Sequence, residues 1–394
     1  CEPWANREAP LKALKWMFDK EAPLLFRPQL DWDQWRWGLK FLAQCNDTAF
    51  ERNVQQIVAL GAYSHAALKD LVASTGIEYN RLERGIAHFY TDQKSFDAAG
   101  HAVELMRKFG VQRRLVSRDE LLKIEPAFKA YGDKITGGTY TSTDESGDAR
   151  VFTQELARRC AARGAQFLYG HDVLRLNKIG DAIDSVAVIA RNTGAGGQKD
   201  FILKADAFVV ACGSYSAPLL RTVGVDLPIY PGKGYSATFP LLKPEGAPMV
   251  STIDDGKKIA MSRLGNVLRV AGTIELGGFD MSLDSPVARA RCHMLSRRIA
   301  EILPGVCDTR TPEEGGNPQY WTGLRPATPT NIPFIGQTRV GKLWVNAGHG
   351  TLGWTHGAGS GKAMAELLSG EVPAMNFGFL GVQAPRAVRG AVAA

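Results

Sequence analysis

Apolar residues recur at helical spacing from Asp47 to about Thr75, where Val54, Ile57, Val58, Leu60, Ala67, Leu68 and Leu71 predict one long helix. Ahead of it, residues 1 to 43 mix prolines with Trp4, Trp16, Trp32, Trp35 and Trp37, and Leu11, Leu14, Lys15 and Phe18 mark a short amphipathic helix. Alternation predicts a strand from Glu83 to Tyr90, followed by a helix through about Phe109. Ser117-Arg-Asp-Glu120 has the spacing of a capping box and opens another helix. Thr136 to Tyr140 reads as a strand. Ser146-Gly-Asp148 reads as a turn that caps a helix running to Arg163, with Phe152, Leu156 and Cys160 inward.

The middle of the chain alternates at strand period. Gln166 to Tyr169, Asp172 to Leu176, Ala182 to Ile189 and Phe201 to Leu203 are short strand candidates around a glycine-rich turn at Thr193 to Gly197. Ala207 to Cys212 is continuously apolar, which predicts a parallel strand buried on both faces, and it ends at Gly213-Ser214. Residues 228 to 320 hold strand candidates at Ser236 to Phe239, Lys258 to Ser262 and Val267 to Thr273, with a helix from Pro286 to Leu303. They read as an α+β insertion with an antiparallel sheet. Leu343 to Ala347 predicts a second buried strand, and the turn Gly348 to Thr355 leads to a helix from Ala358 to Ser369.

Composition narrows the class. Of 394 residues, 45% are hydrophobic, 22% charged and 42 are glycine, which excludes disordered, collagenous and disulfide-framework chains and favours two domains. The net charge of +7 is spread thinly; Arg113-Arg114, Arg158-Arg159 and Arg297-Arg298 read as solvated helix faces, which argues against nucleic acid as a partner. A diffuse positive field suits an anionic ligand or attachment to anionic lipid, and the tryptophans read either as packing for a lobe or as a membrane-surface contact. Six cysteines form no CxxC pair and no metal-like spacing with the histidines, so they read as reduced thiols of a cytoplasmic protein with no metal site. Cys1-Glu-Pro-Trp4 carries neither an initiator Met nor a signal-peptide core, and suggests a cut or a missing piece.

Three segments carry chemistry. Val209 to Pro218 and Val345 to Gly353 each run strand, glycine turn, helix, where backbone amides can approach a ligand and a helix N-terminus favours negative charge. No GxGxxG follows a strand with an acidic residue about 20 positions on. Gly348-His-Gly350-Thr-Leu-Gly353 has the literal spacing with no later βαβ unit. The other segment is Trp321 to Gly336, where three prolines predict a rigid extended loop around Arg325, a planar fork suited to a carboxylate.

These motifs together with Asp144-Glu-Ser-Gly-Asp148, Gly213-Ser-Tyr-Ser216, Pro231-Gly-Lys-Gly-Tyr-Ser236 and Phe279-Asp280 make the chain resemble the D-amino-acid-oxidase and glycine-oxidase family. The likeness is to its FAD-dependent bacterial D-amino acid dehydrogenases and runs to about Pro373. It implies an α/β plus α+β fold: a Rossmann-like FAD-binding domain, incomplete in this chain, with an antiparallel-sheet substrate domain. The implied division is 1–46, a Trp/Pro-rich lobe and linker; 47–143 and 228–320, the substrate domain; 144–227 and 321–384, the FAD-binding domain; and 385–394, a tail.

The resemblance further implies oxidative deamination of D-amino acids to 2-oxo acids and ammonia, with hydride passing from Cα to flavin N5. Electrons then go to a quinone-type acceptor, with peripheral attachment to the inner face of the membrane. Arg325 clamps the substrate carboxylate, the Tyr235 hydroxyl shares it, and His349 lies in the flavin turn. Gly323, Gly348, Gly350, Thr351, Leu352 and Gly353 contact the cofactor, Ala211, Cys212 and Gly213 line the dinucleotide crevice, and Val173 faces the adenine side. Cys212 reads as a packing residue rather than a covalent flavin link. Since family members carry a strand, GxGxxG turn and helix ahead of the region matching Pro3-Trp4, a separate N-terminal fragment is expected as partner. Alternative readings are an oxidase of proline, hydroxyproline or another L- or secondary amino acid, and a non-catalytic flavoprotein-like subunit.

Overall fold

The structure, a computed structural model, describes residues 3–11, 22–191 and 201–382. Strand β1 (Leu24–Phe26) precedes helices α1 (Trp32–Ala43) and α2 (Asp47–Thr75). Next come β2 (Ile86–Tyr90), α3 (Gln93–Lys108), β3 (Arg113–Ser117), α4 (Arg118–Ile124), β4 (Gly137–Thr141) and α5 (Ala149–Ala162). The middle holds β5 (His171–Ile179), β6 (Ala182–Ala190), β7 (Phe201–Lys204), β8 (Phe208–Val210) and α6 (Ser216–Arg221). Then follow β9 (Tyr230–Pro240), β10 (Ser251–Asp254), β11 (Ile259–Leu264), β12 (Val267–Leu276) and α7 (Pro286–Ile302). The last elements are β13 (Gln319–Ala327), β14 (Phe334–Gln337), β15 (Leu343–Ala347) and α8 (Gly353–Leu368).

Helix ends follow the polar punctuation in the sequence. Asn46 caps α2 by accepting from the Ala49 amide, and Gly76 ends it in the left-handed conformation. Asp148 accepts from the amides of Arg150 and Val151 to open α5, and Ser117 accepts from Glu120 to open α4.

Among the described residues, nine strands form one sheet in the order β13-β9-β12-β11-β10-β2-β4-β3, with β1 beside β12. One face of it is the main core: Ala87, Phe89, Tyr235, Ala237, Phe239, Leu268 and Val270 pack against Cys292, Leu295, Ile299 and Ile302 of α7. Burying each such aliphatic side chain contributes about 1.5–3 kcal/mol, which fixes the sheet firmly enough to present its other face. A second sheet runs β14-β15-β8 and a third β5-β6-β7. Helix α8 lies on α2 at very short range: the Gly359 amide donates to Ser64 Oγ at 3.0 Å, and an added Cβ at Gly359 would stand 2.6 Å from Ser64 Cα.

Several expectations need correction. The segment 207–212 is not a strand buried on both faces: β8 covers only Phe208–Val210, Val209 is 41% exposed, and Ala211 and Cys212 are exposed. The reason is that β8 pairs with β15 on one side only among the described residues. Cys212 is therefore not a packing residue. Gln166–Tyr169 forms no strand and leaves Phe167, Leu168 and Tyr169 exposed. Arg325 sits on β13 rather than a loop; an edge strand tolerates Pro326, which lies opposite Pro231. The turn Thr193–Gly197, and the short helix beyond Leu11, lie outside the described residues.

Candidate active site

Side chains alternate across a strand, so the β13–β9 register decides what shares a face. Gly323 stands opposite Gly234, Arg325 opposite Gly232 and Trp321 opposite Ser236, while Tyr235 stands opposite Thr322. Arg325 lies flat over Gly234, where a Cβ would come within 2.7 Å of its Nε. Gly323 is covered by the Trp321 indole, which a Cβ would overlap. The two glycines thus make a floor on which a guanidinium and an indole rest side by side.

Arg325 has no carboxylate partner among the described residues, and its Nε is a buried donor without an acceptor. Burial pushes its pKa down from the ordinary arginine range, the mark of a cation deprived of water without a counter-ion. Such a group is costly to keep unless something charged and acceptor-rich meets it.

Tyr235 does not share this place. It is 1% exposed on the reverse face and donates its hydroxyl to Glu275 Oε2 at 2.5 Å; Arg27 Nη1 holds Glu275 Oε1 at 2.7 Å. Burial followed by the Glu275 carboxylate raises the phenol pKa. The expectation that Tyr235 and Arg325 grip one carboxylate is not met by this register.

Both glycine turns converge on β13. The 3-10 turns Gly213–Tyr215 and Gly350–Leu352 each pack against it, and a Cβ at Gly350 would face the Pro326 carbonyl. Gly213 has φ +56° and Gly350 φ +53°, conformations that favour glycine. A Cβ on Gly213 would meet nothing within 4 Å, so its backbone borders open space. Beside it, Ser214 Oγ and Ser216 Oγ are buried without partners, and no side chain caps the first turn of α8. Bare amides at a 16-residue helix N-terminus, unpartnered serine hydroxyls and an open glycine turn fit an anionic dinucleotide.

Of the remaining expected contacts, Gly348 has φ +90° and packs tightly on Thr328, Thr351 is half-buried, Leu352 is buried, and Gly353 is exposed. His349 Nε2 lies 3.0 Å from Ser360 Oγ, and burial holds its pKa at about 4, so the ring is neutral at pH 7. Val173 is exposed on β5, beside a bulge, away from the convergence on β13. Sequence reasoning missed Glu275, Arg269 and the place of Trp321. Arg269 donates to Thr238 Oγ1 at 3.2 Å and Ser236 Oγ at 3.0 Å, with its Cζ 5.5 Å from the centroid of the Trp321 ring. No local motif announces these, since each depends on cross-strand register.

A family model described as FAD dependent oxidoreductase matches residues 25–367. The chain belongs to this FAD-dependent oxidoreductase family. Among its relatives is a D-amino acid dehydrogenase from Dechloromonas aromatica, 46% identical over 380 residues that cover 96% of this chain and 87% of the relative. One from Paramagnetospirillum magneticum is 40% identical, covering 97% and 86%. The solved glycine oxidase from Geobacillus kaustophilus superposes with a TM-score of 0.68 at 23% identity, covering 82% of this chain and 81% of that one. L-proline dehydrogenase from P. horikoshii superposes at 0.66 and 18%, covering 81% and 80%. FAD-dependent oxidoreductase membership makes FAD the cofactor and the chain a flavin-dependent amino acid oxidoreductase of the mixed helix and sheet fold expected from its motifs.

Proposed function

We propose that this protein oxidises D-amino acids to 2-oxo acids and ammonia. The observation that carries the reading is Arg325, a half-buried guanidinium whose buried Nε finds no acceptor, on the strand against which both glycine turns pack; the D-amino acid dehydrogenase relatives support the substrate class. Arg325 binds the α-carboxylate in bidentate fashion and so fixes where Cα points. Its position over Gly234 keeps the fork flat and close to the sheet. Residues 348–353 and the first amides of α8 hold FAD, with the Gly213 turn against its dinucleotide portion. When bound, FAD supplies the acceptor for the two electrons and the Cα hydrogen. The imino acid that leaves takes up water and releases ammonia. Neutral His349 orders its turn through Ser360 and adds no charge there.

Three finer readings belong to this proposal. The edge of β8 left unpaired among the described residues, and exposed Val209, support a further strand carrying a GxGxxG turn beside it. Trp32, Trp35, Leu39 and Leu42 form an exposed apolar stripe on α1, which supports peripheral contact with a membrane surface. With it goes a quinone-type electron acceptor. No helix among the described residues is long and apolar enough to cross a membrane.

The test is anaerobic bleaching of the FAD-loaded protein by paired D- and L-amino acids, with proline and hydroxyproline in the panel. Bleaching by D-alanine and not L-alanine is expected. Bleaching by L-substrates alone overturns the reading.

A further inference from the structure

We propose that Trp321 is the wall against which the substrate side chain packs, held in that pose by Arg269, so that the site favours apolar and aromatic side chains. This rests on the reading of Arg325 as the carboxylate anchor.

Trp321 is 56% exposed on β13, so its ring presents open aromatic surface beside the anchor. The neighbouring glycine provides its seat: without a Cβ at Gly323, the indole lies along β13 toward Arg325 instead of standing away from the sheet. Because Gly323 and Gly234 are direct cross-strand partners, ring and guanidinium occupy adjacent positions. A ligand whose carboxylate meets Arg325 therefore has the indole within reach of its next carbons.

Across the sheet, Trp321 pairs with Ser236, Ser236 with Ala271, and Ala271 with Ala260. One large residue at the edge is followed by three small ones on the same face, and the Arg269 guanidinium lies over the first of them, Ser236, so the open side of the indole is the one toward Arg325. Arg269 approaches that ring from two residues along the strand, and Thr238 and Ser236 fix its guanidinium. A cation over an indole restrains the ring in one pose. Arg269 positions Trp321 and does not itself touch the substrate.

The experiment compares kcat/KM for D-phenylalanine and D-alanine in FAD-loaded wild type, W321A, W321F and R269M. W321A is expected to lower the D-phenylalanine to D-alanine ratio by about 10-fold, through KM, and R269M by about 3-fold, as when an aromatic pairing is removed or loosened. W321F, which restores a ring, is expected to recover most of the ratio. A ratio unchanged in W321A, or one that W321F fails to recover, overturns the proposal. If wild type oxidises neither substrate, the reading of the reaction fails on its own. The wall is then judged by calorimetric titration of phenylacetate against acetate, where a preference for phenylacetate that disappears in W321A sustains it and an unaltered preference overturns it.

Discussion

Tyr235 donates its hydroxyl to Glu275 at 2.5 Å on the face of the sheet turned away from Arg325. A tyrosine one residue from the glycine that seats the anchor is thereby a core group. The expected outcome for Y235F is a loss of about 1.5–3 kcal/mol of stability, the usual cost of removing a hydrogen bond to a buried charged group, with KM for D-alanine changed less than about 2-fold. Chemical denaturation and steady-state rates measured on the same preparation check both halves. A large KM change at full stability would place the phenol in the site.

Removing the anchor should do the reverse. R325M removes a half-buried cation whose Nε has no internal acceptor and whose pKa burial lowers. Its stability is expected to hold or rise, whereas KM for D-amino acids increases about 100-fold or more, as for the loss of one side of a buried charge pair. Flavin content, read from the visible spectrum, stays at the wild-type level.

Acid should unfold the protein through its histidines. Burial holds His88 and His349 at about 4 and His356 at about 3, against an ordinary value near 6.5. Each folded-state pKa is lowered, so the stability from these neutral rings is complete above pH 6.5. It is lost as pH falls toward about 4, at roughly 1.4 kcal/mol per pH unit for each ring. Thermal melts between pH 7 and 4 should show Tm falling steeply. H349Q, which keeps a donor for Ser360 Oγ, should flatten the slope; an identical slope would refute the assignment for that ring.

The contact between α8 and α2 has no slack. G359V forces two methyl groups against Ser64 and is expected to cost about 1–3 kcal/mol. Because α8 begins at the turn proposed to hold FAD, FAD retention on gel filtration should fall as well. Normal retention would separate the helix packing from the turn.

Much of this architecture was legible where the signal is local. The long helix Asp47–Thr75, the caps at Ser117 and Asp148, the strand Leu343–Ala347 and the glycine turns on either side of β13 all follow from periodicity or from single polar residues. Arg325 stood out in the sequence because prolines and glycines surround it, while its seat over Gly234 comes from the pairing of β13 with β9. What was hidden depends on pairing between distant segments. Whether Tyr235 faces Arg325 or Glu275 is set by a register in which a shift of one residue reverses every side chain. Trp321 and Arg269 meet only because β13, β9 and β12 are neighbours. Burial of 207–212 failed as an expectation for a related reason: an apolar run states its preference for cover without stating what provides it.

Strand β13 belongs to the large sheet, while β14, seven residues after Ala327, belongs to the sheet whose β8 edge leads into the Gly213 turn. Pro326, Pro329 and Pro333 punctuate the crossing between them. With three fixed φ angles, this crossing works as a covalent ruler between Arg325 and the layer whose edge leads into the Gly213 turn, so a change in the number of residues between Arg325 and Phe334 would be felt in both sheets.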